Sequence, residues 1–267
     1  MSTETTKRRY QDVAEMLRSE LTNGSYAIGD RLPTERRISE QLSVSRSLVR
    51  DAMIMLEVEG IVDVRKGSGT YVLKLPQTVE APHLETQDIG PFELLQARQL
   101  LESHIAAFAA TMVTKADILR MRAALDQERK DIAANTGIYL ADEEFHRSIA
   151  LASQNSVLVE AVDHLWEMRK RSKMWARLHQ RIFDRGYQKK WLDDHQAILT
   201  ALQCRDPQQA RQAMWQHLEN VRLTLLELSD VDDPSFDAYL FNTDPLAEIQ
   251  LSNNQPKGKR PQTKKSK

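Results

Sequence analysis

Four side chains in the second half of the chain have the chemistry of metal ligands. Asp142 and His146 are four residues apart in a segment with helical periodicity, so both point to one face of a predicted helix. His195 and His217 each lie on a later predicted helix. Three neutral imidazoles and a carboxylate suit Zn²⁺, or another divalent transition metal such as Ni²⁺ or Mn²⁺. Spacing alone leaves a second interpretation open, in which the distant histidines are ordinary surface or core polar groups.

A second group of polar residues, near the N-terminus, suits nucleic acid. Arg46 and Arg50 are four residues apart on a predicted helix and share one face, with Ser45 and Ser47 beside them. A glycine-rich loop with a basic tip, residues 65–69 (RKGSG), follows the helix. Arginine and serine on an exposed helix face suit phosphates and base edges. Two arginines alone would also fit a solvated helix face, but the order of turn, helix and basic loop favours DNA.

Apolar periodicity predicts the elements that position these residues. A helix is predicted over residues 10–22, a second helix begins after an N-cap at Thr34, and a third runs from about 46 to 59 with Ser45 as its N-cap. Strand patterns at 61–64 and 70–73 flank the glycine-rich loop. Together they predict a winged helix-turn-helix of α+β type, whose third helix can enter a major groove. Residues 92–228 have helical patterns broken near 114, 135–137, 155, 171–173, 186 and 207.

The sequence therefore predicts a mainly α protein whose chain consists of five segments. We predict a winged helix-turn-helix DNA-binding domain over residues 1–75, a linker over 76–90 and an all-α helical-bundle domain, which contains the possible metal ligands, over 91–231. An acidic C-terminal extension follows over 232–250, and a disordered basic tail over 251–267. The tail has six Lys and Arg and no acidic residue. It serves either solubility or sequence-independent attraction to phosphate.

Composition excludes several classes of protein. The 267 residues include 37 basic and 38 acidic side chains, so the chain as a whole is not a disordered polyelectrolyte. The single cysteine, Cys204, excludes an intrachain disulfide framework and a cysteine-rich zinc site. No window approaches the roughly 18 apolar residues of a membrane span, and the first ten residues lack the apolar core of a secretory signal. We expect a cytoplasmic protein with no membrane partner.

The N-terminal motif resembles that of GntR-type bacterial transcription regulators. The resemblance is carried by residues 29–36 (GDRLPTER), 44–52 (VSRSLVRDA), 56–57 and 59–60. It departs at Leu48, where the family often has a small or polar residue, and at Asp51, where glutamate is usual and which is expected to be a local charge partner. The resemblance implies two sets of DNA contacts. The helix-turn-helix contacts would be Arg36, Ser45, Arg46, Ser47 and Arg50, and the wing contacts, in the minor groove, would be Lys66 and Gly67.

An all-helical domain after such a head is similar to the ligand-binding domain of the FadR-type subgroup. Its metal-binding branch has an Asp-x-x-x-His pair and two later histidines, which implies that Asp142, His146, His195 and His217 bind one metal. The subgroup also has an arginine directed into the effector cavity at the place of Arg98, whose alternative role is a surface pair with the glutamate four residues later. Three further effector contacts are predicted with less support, namely Asn155, Arg169 and Trp175.

Three stretches resemble the repressors of hexuronate operons. They are residues 90–98 (GPFELLQAR), 213–220 (AMWQHLEN) and 236–241 (FDAYLF). The resemblance implies a non-enzymatic repressor that a uronate, such as galacturonate or glucuronate, releases from DNA. A homodimer is expected because a palindromic operator requires two-fold symmetry. Two alternatives remain open: a related regulator responding to another carboxylate such as lactate, and a metal-dependent hydrolase in which the metal activates water.

Overall fold

The computed structural model describes residues 9–65, 67–76, 88–134, 140–180 and 187–229. The first of two parts, here called the head, contains α1 (Tyr10–Thr22), α2 (Glu35–Leu42), α3 (Arg46–Val58), β1 (Val62–Arg65) and β2 (Gly69–Val72). Helix α1 has the predicted bounds. The predicted caps are confirmed, since the hydroxyl of Thr34 accepts from the Arg37 backbone N–H and that of Ser45 from the Leu48 N–H. Helix α3 is therefore the second helix of a helix-turn-helix.

The wing is a two-stranded antiparallel hairpin that pairs Val62 with Val72 and Arg65 with Gly69. Each strand lies one residue nearer the turn than the apolar pattern predicted, because pairing continues into the glycine-rich loop. Gly67 and Gly69 have φ of 67° and 106°, in the left-handed region that favours glycine. At Gly69 a Cβ atom would also lie 2.5 Å from the guanidinium of Arg31. Glycine therefore sets the shape of the wing tip.

The second part, here called the helical domain, is a bundle of seven helices within the described residues. They are α4 (Pro91–Met112), α5 (Lys115–Ala133), α6 (Leu140–Ala152), α7 (Ser156–Arg171), α8 (Lys173–Gln180), α9 (Tyr187–Gln203) and α10 (Pro207–Leu228). Helix α4 packs along α10, and α5 packs against α6 and α9. The breaks expected near 114, 155, 171–173 and 207 are confirmed, while 135–137 and 186 lie outside the described residues. The mainly α fold with one small sheet in the wing is as predicted.

The head and the helical domain share one continuous apolar core. Helix α3 contacts both α4 and α8. Asp51 of α3 is completely buried and accepts the backbone N–H groups of Phe92 at 3.2 Å and Glu93 at 3.1 Å, so it caps α4 of the other part. Burial raises the pKa of the Asp51 carboxyl to about 8, although the two backbone donors oppose the rise. Glu57 of α3 forms an ion pair with Arg177 of α8 at 2.9 Å. Asp51, which was expected to be a local charge partner, therefore connects the head to the helical domain.

Several predictions concern segments outside the described residues. These segments are most of the linker, the acidic extension at 232–250, the basic tail at 251–267 and Lys66 at the wing tip. Among the helices that are described, none combines the length and the apolar character needed to cross a lipid bilayer.

Candidate metal centre and nucleic-acid interface

Three histidines from three helices meet inside the helical domain. His146 of α6, His195 of α9 and His217 of α10 are all buried, and each offers a ring nitrogen within 4.8 Å of the other two. The Nε2 atoms of His195 and His217 are 3.1 Å apart. The structure thus brings together side chains that are separated by up to 71 residues, as their numbers show.

Asp142 joins this cluster from the turn of α6 before His146. Its Oδ1 lies 3.5 Å from His146 Nε2 and 3.6 Å from His195 Nε2. Zinc bonds of about 2.0–2.2 Å to nitrogen and oxygen place neighbouring ligand atoms roughly 3–3.5 Å apart. The three separations of 3.1, 3.5 and 3.6 Å between His195 and His217, Asp142 and His146, and Asp142 and His195 are close to this size. The four predicted ligands therefore form one cluster, which is here called the metal centre.

A carboxylate lies behind each imidazole of the metal centre. The three carboxylates come from three helices and face the Nδ1 atoms: Glu102 of α4 faces His146, Glu128 of α5 faces His195 at 2.8 Å, and Asp194 of α9 faces His217 at 3.5 Å. Such partners fix the orientation of the ring and leave Nε2 to bind a metal. Sequence reasoning missed all three as parts of the site, because acidic residues on amphipathic helices are common and carry no signal of their own.

The charges of the metal centre suit a divalent cation. Burial lowers the pKa of His217, and the adjacent His195 lowers it further, so the His217 imidazole is neutral. Burial raises the pKa of Asp142, but its interactions with the two neighbouring histidines and with Arg169 and Arg98 outweigh burial, and the net shift of the pKa is downward. Nε2 of His146 is buried and has no hydrogen-bond partner within the described part of the chain. A carboxylate, neutral imidazole and an unused ring nitrogen fit a metal ion.

A cavity of about 320 Å³ lies beside the metal centre. It is formed mainly by α7 and α8, and its lining includes Leu140, Glu143, Trp166, Arg169, Lys170, Ser172, Trp175, Ala176 and His179. Arg169 connects the cavity to the metal centre, since its Nη1 lies 3.7 Å from Asp142 Oδ2. The guanidinium carbon of Arg169 lies 4.7 Å from the ring centre of Trp166 and 4.9 Å from that of Trp175. Two of the predicted effector residues, Arg169 and Trp175, therefore lie together in one pocket.

The other two predicted effector residues, Arg98 and Asn155, are not among the residues that line this cavity. Arg98 is buried, donates to Glu102 Oε1 at 2.6 Å and stacks on Trp166 at 4.3 Å. It is not among the residues that line the cavity, so its place is behind His146, through Glu102. Asn155 is exposed and caps α7 by accepting the N–H groups of Val157 and Leu158 at 3.0 and 3.3 Å. Asn155 therefore has a structural role as a helix cap, and its effector contact stays a prediction.

Of the predicted DNA contacts that the structure describes, all but one lie on the outer surface of the head. The side chain of Arg36 is 79% exposed and pairs with Glu40. Ser45 is exposed at the start of α3, while Arg46 and Ser47 are half-buried beside it, and Gly67 is exposed at the wing tip. The start of α3 and Gly67 at the wing tip are therefore accessible to a DNA backbone.

Arg50 is the exception, because its side chain is completely buried. Its Nε forms an ion pair with Glu35 of α2, and its Nη1 contacts the Ser229 hydroxyl and the Leu226 carbonyl oxygen at the end of α10. In this structure the expected DNA contact of Arg50 is replaced by a contact with the helical domain. The sequence pattern could not reveal this, since i, i+4 spacing with Arg46 describes one helix alone.

A winged-helix head joined to an all-helical domain is the architecture of a class of transcription regulators. Residues 9–72 match the family described as "Bacterial regulatory proteins, gntR family", and residues 93–220 match the FCD domain. The chain belongs to the gntR family and carries an FCD domain. It is accordingly a DNA-binding regulator of transcription and not an enzyme.

Three relatives match nearly the whole chain. The "Uxu operon regulator" of Haemophilus influenzae is 52% identical, over 90% of this chain and 90% of the relative. In Escherichia coli K12, the "Uxu operon transcriptional regulator" is 48% identical over 91% of this chain and 96% of the relative. The "Exu regulon transcriptional regulator" of the same strain is 44% identical over 92% and 96%.

Proposed function

We propose that the protein represses genes for the uptake and catabolism of hexuronates, and that a uronate such as galacturonate or glucuronate releases it from its operator. The three relatives, which regulate the Uxu operon and the Exu regulon, support this assignment. The observation that carries it is the cavity beside the metal centre, in which Arg169 offers a cation between two tryptophans. A sugar acid has one full negative charge and apolar ring faces, and this pocket matches both features.

The proposed cofactor is a divalent metal held by Asp142, His146, His195 and His217. Zinc agrees best with an imidazole-rich set, and nickel or manganese would also accept it. When bound, the metal supplies a concentrated positive charge to anionic oxygens of the effector. The carboxylates behind the imidazoles would keep the ligands in place whether or not an effector is present.

The proposed effector site is formed by α7 and α8. Arg169 would bind the carboxylate with two parallel hydrogen bonds, and Trp175 would pack against the sugar ring. The cavity volume of about 320 Å³ is at the lower end of the range of small-molecule sites, about 300–1,000 Å³. A monosaccharide acid is therefore a better match than a larger ligand.

The proposed signal passes through α10. This helix carries His217 in its middle and contacts Arg50 of the recognition helix through Leu226 and Ser229 at its end. Leu226 is nine residues beyond His217, about 14 Å along a helix. Effector binding at the metal centre would favour a position of α10 that no longer allows the heads to fit the operator. Release then reflects different affinities of the effector for two conformations.

Two copies would bind a palindromic operator, because matching half-sites require two-fold symmetry. We place the DNA-binding domain at residues 1–75, the linker at 76–90 and the effector domain at 91–231. The predicted DNA contacts are Arg36, Ser45, Arg46, Ser47, Arg50, Lys66 and Gly67, and Arg50 would contact DNA only after it leaves Glu35 and Ser229. As a protein that acts on bacterial DNA, it would work in the cytoplasm.

A mobility-shift assay on promoter fragments of uronate genes tests the proposal. The full-length protein should bind these fragments and be released by galacturonate or glucuronate, but not by galactose or glucose at the same concentration. Release by lactate alone would identify a related regulator of a different carboxylate. Failure to bind any uronate promoter, with or without added zinc, would contradict the assignment.

A further inference from the structure

A groove of about 760 Å³ lies between α1 and α2 of the head, and it is here called the head groove. Both helices pack against α3, and the segment that joins them also contributes to the lining. The head groove is more than twice as large as the cavity beside the metal centre. None of the predicted DNA contacts that the structure describes is part of its lining. The head therefore has a candidate binding surface that neither DNA contacts nor effector binding explain.

The lining of the head groove is partly apolar and open to solvent. Met16 of α1 is 46% exposed and lines the groove. Tyr26 and Leu42 are half-buried at the same surface, where Leu17 and Ile38 of the core also contribute. Removing such apolar surface from water is favourable. The head groove therefore suits a partner with apolar side chains.

The charged residues of the head groove favour a partner of one sign. Arg31 and Arg37 line the groove and are exposed, and Glu20 is the one acidic residue in the lining that the structure describes. Two guanidinium groups and one carboxylate give this lining a net formal charge of +1. Opposite charges favour association and like charges oppose it. An acidic partner therefore matches the head groove better than a basic one.

The chain itself contains a segment with both properties. Residues 232–250, which lie outside the described residues, include Phe236, Tyr239, Leu240 and Phe241 within a run of six positions. The segment has no Lys or Arg and has five acidic residues, namely Asp232, Asp233, Asp237, Asp244 and Glu248. It thus combines the apolar and the acidic side chains that the head groove would accept.

The described part of the chain ends beside α2. Ser229, the last described residue, contacts Arg50, and Arg50 pairs with Glu35 of α2. Phe236 follows seven positions later, and an extended chain covers roughly 3.3 Å per residue, so Phe236 can lie up to about 23 Å from Ser229. A helix with its side chains is about 10–12 Å across. Residues 236–241 are therefore within reach of the head groove.

We propose that residues 236–249 bind in the head groove of the same chain. The aromatic and aliphatic side chains of the segment would cover Met16, Tyr26 and Leu42, and its carboxylates would face Arg31 and Arg37. Nucleic acid would pair with the arginines but leave the apolar lining in water, and a basic peptide would meet like charge. A segment of the same chain also has a high effective concentration, because only a short connection separates it from the groove.

The bound segment would keep the head in the arrangement that withholds Arg50 from DNA. The segment follows directly after the contact between Ser229 and Arg50, so the end of α10 could leave the head only after the segment leaves the groove. Helix α2 also carries Arg36, a predicted DNA contact, and carboxylates placed beside it would repel DNA phosphates. The acidic extension would thus lower the affinity for DNA until it is displaced. This inference goes beyond the proposed function and requires neither a metal nor a uronate.

Disulfide trapping in the full chain tests the inference. Cys204, the single cysteine, is exposed and is first removed by Cys204→Ser. In that background Met16→Cys combined with Leu240→Cys should form a crosslink within one chain on mild oxidation, which non-reducing electrophoresis distinguishes from a crosslink between chains. Leu119→Cys with Leu240→Cys is the matched control, since Leu119 is 54% exposed on α5 of the helical domain. The control pair should crosslink roughly tenfold more slowly, because its effective concentration is lower.

Charge and DNA affinity give two further readouts. Arg37→Glu, added to the Met16→Cys and Leu240→Cys pair, should slow crosslinking about fivefold, which corresponds to about 1 kcal/mol, the value of a good exposed ion pair. Lys115→Glu, an equal change of charge at an exposed position of α5, should leave the rate unchanged. The crosslinked protein should bind a DNA duplex about tenfold more weakly than the same protein after reduction, because the carboxylates can then leave.

Each outcome bears on a different part of the inference. Equal crosslinking by the Met16→Cys and Leu119→Cys pairs would overturn it, since the segment would then have no preference for the head groove. A crosslink that forms only between two chains would overturn binding within one chain. An unchanged rate in Arg37→Glu would overturn the charge match, and equal DNA affinity before and after reduction would overturn the effect on DNA. No uronate and no particular promoter is needed, so a failure here would leave the proposed function intact.

Discussion

Arg50 of the recognition helix donates a hydrogen bond to the hydroxyl oxygen of Ser229 at the end of α10, 179 positions further along the chain. The same guanidinium pairs with Glu35, so an arginine expected at the DNA surface is enclosed by protein. Separating a buried charge from its partners has a large cost in free energy unless new partners replace them. DNA phosphates would be such partners, and the structure therefore shows a state in which Arg50 is withheld from DNA.

Ser229→Ala should strengthen operator binding in the absence of effector. The substitution removes one partner of the buried guanidinium, and a hydrogen bond to a charged group is worth about 1.5–3 kcal/mol. A Kd that is lower by about ten- to a hundredfold is expected, since about 1.4 kcal/mol is tenfold. Fluorescence anisotropy with a labelled operator duplex measures it. Ser19→Ala, on the exposed side of α1, is the control. Weaker binding by Ser229→Ala would mean that the Arg50 contact supports the DNA-bound state.

Arg46→Ala should abolish specific recognition of the operator. Arg46 begins α3 and remains partly exposed beside Ser45, which is where a recognition helix contacts bases. One bidentate base contact contributes about 1–3 kcal/mol, and two half-sites double the effect. Competition between operator and random duplex at fixed salt gives the specificity ratio. Arg120→Ala on α5 should leave that ratio unchanged, and a normal ratio for Arg46→Ala would refute the contact.

His195→Ala should remove most of the bound metal and lower the thermal stability. It deletes one of four ligands, and a metal that binds only the folded state stabilises that state. Metal analysis by mass spectrometry and a thermal melt are the measurements. His164→Ala, at an exposed position of α7, should retain about one metal per chain as the wild type should. Normal occupancy in His195→Ala would exclude this ligand.

Glu128→Gln tests the outer carboxylates separately from the ligands. Glutamine keeps the size of the side chain but not the charge that orients His195. Loss of such a partner is expected to weaken metal affinity by about 10–100-fold. Competition with a chelator of known affinity would measure the change. An affinity equal to that of the wild type would mean that packing alone orients the imidazole.

Arg169→Ala should reduce the preference for a uronate over the neutral sugar. When the ligand has no carboxylate, wild-type Arg169 lacks a charge-assisted hydrogen bond worth about 1.5–3 kcal/mol, so galactose should bind at least ten times more weakly than galacturonate. Arg169→Ala should bring the two affinities together. Titration calorimetry with both sugars measures the ratio. Arg98→Gln should weaken both sugars alike, since Arg98 acts through Glu102. A reduced ratio in Arg98→Gln alone would assign the carboxylate to Arg98 instead.

Local signals in the sequence were enough for most of the fold. Thr34 and Ser45 were identified as caps because a side-chain oxygen before a helix satisfies its free N–H groups, whatever surrounds it. Spacing and resemblance predict the four candidate ligands, and the structure brings these side chains close to one another. The helix caps depend on residues within one turn of one another. The candidate ligands can be found because few residue types bind a metal.

Contacts between distant helices were beyond the reach of such signals. The burial of Arg50 depends on Ser229, and the orientation of His195 depends on Glu128, 67 positions earlier. Trp166 is buried, contacts both Arg98 and Arg169 with its ring and lines the cavity, and no local pattern in the sequence indicates this role. Which face of a helix meets which neighbour is decided by packing, and the helical period does not contain that information.

The ion pair between Arg177 and Glu57 connects α8 of the helical domain directly to the recognition helix. This helix has only eight residues, about 12 Å of length, and it packs against the recognition helix on one side while Trp175 and His179 border the cavity on another. A rod of that length that tilts by about 10° moves its end by roughly 2 Å. A ligand that tilts α8 would thus shift the recognition helix directly, without unfolding any element. Under the proposed function, occupancy of the cavity would then produce a displacement on the scale of a single hydrogen bond, which is enough to misalign an arginine with a base.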